Sequence, residues 1–290
     1  MVKEQNKKYE SAYAFRRALE DRLNNLSKKE GIALDRLRKK IAFDRLLARL
    51  FKNKQNKWLL KGGYALELYL RDIARTTKDI DLSIPEKKKI NKEKIRELLQ
   101  EEAEKDIKDY FQFLIGASYQ DLHQPVYGGW RYPVEAKLDN RTFTKFHLDV
   151  GIGDEIISKP IWQKGHNLLN FAGILPAKVA VIPREQQFAE KIHSYTFPKD
   201  KRNNSRVKDL LDLVLLIQHC KLRKAILKQS IEKTFQNRGT HHLPEKLESP
   251  PADWGKVYEK LADECKSSKG NTDEAFRYLD KYWEKLYKFW

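Results

Sequence analysis

The sequence predicts an α/β (α+β) chain in which strands and helices intermix over residues 1–182, followed by a helical region over 183–290. Three observations predict it. Residues 79–84 alternate strictly, with Asp79, Asp81 and Ser83 on one face and Ile80, Leu82 and Ile84 on the other. Val134, Ala136 and Leu138 alternate with Glu135 and Lys137, then Asp139 and Asn140 supply turn chemistry, and residues 142–150 return as a second strand. From Pro183 the apolar period becomes helical, with Phe188, Ile192 and Tyr195 on one face.

Taken in order, residues 9–52 place Leu34, Leu37, Ile41, Leu46, Leu47 and Leu50 at helical spacing among basic residues, which predicts two basic amphipathic helices packed on the α/β part. A polar turn at 53–57 precedes a short strand at Trp58, Leu59 and Leu60. It runs into Gly62 and Gly63, and residues 64–70 are helical. After the 79–84 strand and its end at 85–89, residues 91–110 read as a charged helix with Ile95, Leu98, Leu99 and Ala103 buried. A strand at 111–115 and a loop at 116–130 follow. The C-terminal part holds a helix from Pro183, a polar basic loop at 196–205 and a helix at 206–217 that is apolar almost all round. Beyond these come a basic helix at 221–235, a proline-rich loop at 238–251 and one or two aromatic-rich helices from Trp254. Trp283, Tyr287 and Trp290 there have core spacing.

Composition bounds the chemistry. Of 290 residues 58 are Lys or Arg against 41 Asp or Glu, a net charge of +17, so the surface field attracts polyanions. The basic excess is uneven: ten over residues 1–60 and seven over 199–238. No apolar N-terminal segment or membrane-length run is present in the sequence, which predicts a cytoplasmic protein without membrane association. Cys220 and Cys265 lack metal spacing and read as reduced thiols.

The candidate site begins with the acidic face. Two carboxylates side by side repel unless a cation sits between them, so Asp79 and Asp81 read as ligands for Mg²⁺. On the 142–150 strand Phe146, Leu148 and Val150 share the core face, which leaves His147 and Asp149 on the other; Asp149 could complete a trio of acids. A strand running into two glycines and a helix start is phosphate-binding geometry, because glycine allows close approach and the helix N-terminus favours negative charge. Asp209 and Asp212 lie one helical step apart on the buried 206–217 helix and need cationic partners, Lys191 or Arg206.

The strings GGYAL and RTTKDID, with Arg75 and Thr77 ahead of the aspartates, resemble the first motif of the AbiEii-type nucleotidyltransferase toxins of type IV toxin–antitoxin systems, in the DNA polymerase β-like superfamily. LDVG at Asp149 is similar to the third motif. EKIHSY followed by RVKDLLDL is similar to the fourth, a helix Lys followed by Arg-x-x-Asp-x-x-Asp, with a longer gap; Lys137 is the candidate for the second. The resemblance spans residues 59 to about 217. It implies a nucleotidyltransferase domain with a mixed, mostly antiparallel sheet, and a nucleoside triphosphate over Gly62, Gly63 and Thr77. Asp79, Asp81 and Asp149 would be metal ligands and catalytic acids, with Lys191 offsetting triphosphate charge and Asp209 and Asp212 orienting it. It further implies nucleotide transfer onto an RNA, with tRNA the suggested acceptor, and growth inhibition neutralised by an antitoxin protein or repressor. Two other classes use part of the same pattern. A metal-dependent nuclease would use the three acids but not the glycine pair or Lys191; a non-catalytic RNA-binding protein would use the charge but not acids on core strands.

Overall fold

The computed structural model describes residues 9–53, 58–85, 90–122, 128–198 and 206–289. The expected turns at 54–57 and 86–89, most of the basic loop (199–205) and Trp290 therefore lie outside the described residues. In chain order the elements are α1 (Ala12–Glu30), α2 (Leu34–Leu50), β1 (Leu59–Lys61), α3 (Gly62–Leu70), β2 (Asp79–Ile84), α4 (Lys92–Ala103), β3 (Phe111–Ile115), β4 (Gln120–Asp121), β5 (Gly129–Leu138), β6 (Arg141–Ile152), β7 (Ile161–Lys164) and β8 (Lys178–Val181). Helices α5 (Arg184–Thr196), α6 (Val207–His219), α7 (Lys224–Arg238), α8 (Gly255–Glu264) and α9 (Thr272–Tyr287) complete the chain.

The strands form one mixed sheet in the order β3-β5-β6-β2-β1-β8-β7, with β4 added to β5. β2 pairs parallel with β6 and β1 with β8, while β5 pairs antiparallel with β3, β4 and β6. The β5–β6 hairpin turns at Asp139 and Asn140, both at positive φ (54° and 55°), as a two-residue turn between right-twisted strands requires.

The chain divides into two compact units. The first comprises Met1–Leu60, Thr76–Gly153 and Trp162–Val181; the second comprises Lys61–Arg75, Asp154–Ile161 and Ile182–Trp290. In the first, α1 starts because the Ser11 hydroxyl accepts the Ala14 N–H, and stops at Gly31 in the left-handed region. The apolar face of α2 meets the sheet, where Phe43 packs edge-on against Phe146 with centroids 4.8 Å apart. In the second, α5, α6, α7, α8 and α9 and the buried Leu66 and Leu70 of α3 close around a core containing Phe188, Leu211, Trp254 and Trp283.

Two expectations about elements are corrected. The helix expected over 91–110 stops at Ala103, because Lys108 and Tyr110 take positive φ and Asp109 turns inward to receive both Arg49 Nη1 (2.8 Å) and Nη2 (2.6 Å). Asp109 is fully buried, and its pairing with Arg49 outweighs helix propensity in that turn. The loop expected over 116–130 contains β4, which Gln120 and Asp121 form by pairing with Arg131 and Trp130.

Candidate active site

The expected site residues fall into two sets, one in each unit. In the first unit β2 and β6 run in register, placing Asp79 beside His147, Asp81 beside Asp149 and Ser83 beside Gly151. Residues opposite one another on neighbouring strands share a face, so the acids stand together while Ile80, Leu82, Leu148 and Val150 bury the reverse face. β5 adds Arg131 opposite Asp149. Its Nε donates to Asp149 Oδ1 and its Nη2 to Oδ2, both at 2.7 Å, a two-pronged pair that offsets the repulsion between neighbouring acids. The same hydrogen bond is the main cause that holds the Arg131 proton more tightly than usual. Asp79 Oδ1 lies 3.1 Å from His147 Nδ1, and the Thr77 hydroxyl donates to the Asp79 carbonyl at 3.3 Å.

Mg²⁺ takes carboxylate oxygens, and this face supplies them. A carboxylate has about four lone-pair sites, of which Arg131 occupies two on Asp149, so the remaining sites fit an ion or an incoming proton. Asp79 is the more open of the two, its side chain 32% exposed against 10% for Asp149. Among the described residues no group of three or more acids, histidines or cysteines is drawn close enough to hold a metal ion; the three acids share an open face and are not gathered around one point.

In the second unit Gly62 opens α3 at φ 66°, a conformation that favours glycine, and no side chain caps the helix start. The Gly62 carbonyl accepts from Gln187 Nε2 of α5 at 3.3 Å. One turn further along α5, Lys191 Nζ lies 2.8 Å from both Asp209 and Asp212 of α6. Arg206 pairs with Asp209 at 3.3 Å, and Arg75 meets Asp212 through two bonds of 2.8 Å. Burial works against charge on Asp212, yet Arg75 and then Lys191 hold its carboxyl below the usual range; burial also opposes the Lys191 charge, and Asp209 and Asp212 raise its pKa nonetheless. The ammonium has three donors and spends two on these acids, leaving one.

Comparison with known proteins gives the chemistry. The family described as nucleotidyl transferase AbiEii toxin, type IV TA system, matches residues 45–284. The chain belongs to this AbiEii family. Among solved structures it is similar in fold to MenT4, a nucleotidyltransferase toxin from Mycobacterium tuberculosis, at 17% identity and a TM-score of 0.56, covering 93% of this chain and 98% of that one. Lesser likenesses are to an antigenic nucleotidyltransferase-like protein from Paracoccidioides brasiliensis (17% identity, TM-score 0.38, 79% and 93% covered) and to the antibiotic-resistance factor ANT(2″)-Ia (15%, 0.37, 69% and 92%). No curated protein sequence matches. The AbiEii match reaches further at both ends than the motif resemblance over 59–217, taking in the C-terminal end of α2, all of α7 and α8 and most of α9. Membership makes the protein a nucleotidyltransferase toxin and implies an antitoxin partner.

Sequence reasoning on AbiEii motifs missed three partners. Arg131, not Lys137, is the β5 cation at the acidic face; Lys137 lies six residues, about 20 Å, further along the strand, at the hairpin end opposite Thr142. Arg75 was read only as part of the first motif and is the two-pronged partner of Asp212. Lys61, directly before the glycine pair, is half-buried and pairs with Asp154 (2.6 Å) and Glu190 (3.4 Å), and Arg238 joins the same acids. Nothing in local spacing signals this last cluster, although a lysine between Leu60 and two glycines marks a cation placed at a helix start.

Proposed function

We propose that this AbiEii chain transfers a nucleoside monophosphate from a nucleoside triphosphate to a hydroxyl of an RNA, tRNA being the favoured acceptor, in a reaction dependent on Mg²⁺. The observation that carries the reading is the register of β2 on β6, which sets Asp81 beside Asp149 with Asp79 two residues away on the same face. Asp79, Asp81 and Asp149 would hold Mg²⁺, which when bound supplies positive charge to the phosphates. The Asp149 carboxylate, held in place by Arg131, takes the proton from the attacking hydroxyl. The new bond forms between that oxygen and the α-phosphorus, the bond from the α-phosphorus to its bridging oxygen breaks, and pyrophosphate leaves. Gly62 and Gly63, backed by the uncapped start of α3, receive phosphate oxygens, and Thr77 fixes the backbone at Asp79. Lys191 uses its remaining donor on the triphosphate, oriented by Asp209 and Asp212. Growth inhibition follows from blocking the RNA, and an antitoxin protein or repressor relieves it.

The test is incubation with each labelled triphosphate, Mg²⁺ and total RNA, followed by a gel. Label is expected on RNA with the native protein and on none with Asp79→Asn, Asp81→Asn or Asp149→Asn, each folded by melting temperature. Full transfer by any of these three variants would reject the assignment.

A further inference from the structure

Beside the acidic face lies an aromatic ring that the reaction above does not use. Tyr119 precedes β4 and is 57% exposed. Its backbone N–H donates to the Arg131 carbonyl at 3.4 Å, which ties this turn to β5, and its ring meets the His147 ring edge-on with centroids 5.8 Å apart. His147 in turn touches Asp79. Tyr119 also lies within electrostatic reach of the Arg131 guanidinium. A tyrosine fixed along one edge, with more than half its surface bare and two contacts away from a catalytic carboxylate, offers a flat apolar surface for a second flat group. A nucleobase has the matching shape, and stacking on such a ring tolerates any base.

Sheet order decides which nucleotide it serves. From β2, β1 lies on one side and β6 and β5 on the other. The chain leaves β1 directly into Gly62 and Gly63, the phosphate-binding turn, whereas Asp149, Arg131 and Tyr119 belong to the opposite flank of β2. That is the flank of the proton acceptor. We propose that Tyr119, backed by His147, stacks on the base of the 3′-terminal nucleotide of the acceptor RNA, which presents its hydroxyl to Asp149. Arg131, with two of its five N–H donors on Asp149, turns the others to the phosphodiester behind that base. This inference rests on the transfer reading above, and the terminal nucleotide is chosen because its 3′ hydroxyl is not tied up in a phosphodiester.

The test uses the full chain and a short single-stranded oligoribonucleotide carrying 2-aminopurine at its 3′ end, whose fluorescence is quenched on stacking. The native protein and Tyr119→Phe are expected to quench it; Tyr119→Ala is expected to lose the quench, bind the RNA about 5- to 150-fold more weakly and raise KM for RNA with KM for the triphosphate unchanged. Tyr119 is exposed, so the melting temperature should not move. Quenching by Tyr119→Ala equal to the native protein would overturn the proposal. So would a loss confined to triphosphate KM, or native quenching only when the probe sits inside the oligonucleotide. If the native protein transfers label to RNA while Tyr119→Ala behaves like it, the stacking site fails and the transfer reading stands. If the native protein quenches the probe but never transfers label, the transfer reading fails and the stacking site stands as an RNA-binding site. Absence of any RNA binding by the native protein overturns both.

Discussion

Asp212 carries more of the second unit's charge balance than any motif suggests. It is nearly inaccessible and receives two bonds from Arg75 and one contact from Lys191, all at 2.8 Å. Removing it takes away the acid that Arg75 and Lys191 share in the interior, so Asp212→Ala is expected to destabilise the protein by about 3–5 kcal/mol, read by chemical denaturation. Lys191→Ala is different, because Asp212 keeps Arg75 and Asp209 keeps Arg206. Its loss of stability should be smaller, and its main effect should fall on triphosphate affinity. Melts of both variants with and without nucleotide separate these roles; a Lys191→Ala protein that unfolds easily yet binds nucleotide normally when folded would make the lysine a strut and nothing more.

The N-terminal helices are less uniformly available to a polyanion than their composition suggests. Arg45 and Arg49 of α2 are buried, pairing with Asp44 and Asp109, while Arg38 holds Glu20 and Lys39 holds Asp35. The exposed cations of these helices are Arg17, Arg22, Lys28 and Lys29 of α1, with Arg36 and Lys40 half-buried on α2, and binding of an RNA backbone there must release condensed counterions. RNA affinity is therefore expected to fall linearly on a log–log plot against salt, by about 0.7–0.9 per phosphate contacted. Charge reversal at Arg36, Lys39 and Lys40 should flatten the slope for every RNA sequence while sparing triphosphate binding. A matching set at Lys201, Arg202 and Arg206 is less clean: the first two lie outside the described residues, and Arg206 bonds Asp209. Affinity insensitive to salt between ~50 and ~200 mM would remove RNA from this surface, and an acidic antitoxin would be the better occupant.

At the scale of the whole molecule, stability should be lost on the acid side. His193 is buried on α5 against Arg238, His241 and Thr240, with Asp154 and Arg206 in electrostatic reach. Burial, and then Arg238 and His241, push its pKa from 6.5 down to about 3. The unfolded chain thus binds a proton at this residue where the folded chain does not, and stability falls as pH drops from 6.5 toward about 3. Asp154 adds a second loss lower down. Burial opposes its charge, but Lys61 and Arg238 hold its pKa down to about 2, so its contribution is full above 3.8 and is lost as pH falls from there through about 2. Melting temperature measured from pH ~7 to ~4 should decline in the native protein and decline less in His193→Gln; parallel curves would show that the buried imidazole is not the cause.

What the sequence determined by itself was whatever depends on near neighbours. Strand period put Asp79, Asp81, His147 and Asp149 on polar faces, the glycine pair marked the start of α3, and the apolar run at 206–217 became the buried α6. Those are consequences of backbone geometry over a few residues. The partners of these groups were decided by tertiary structure, because they come from far along the chain. Arg75 reaches Asp212 across 137 residues and Lys61 reaches Asp154 across 93; Arg131 meets Asp149 only because the β5–β6 register falls where it does. The same holds for the end of α4, which a propensity argument carries to residue 110 and a buried Arg49–Asp109 pair stops at Ala103. A carboxylate's need for a cation can be read locally, but the cation that answers it is chosen by burial and register, which no local period encodes.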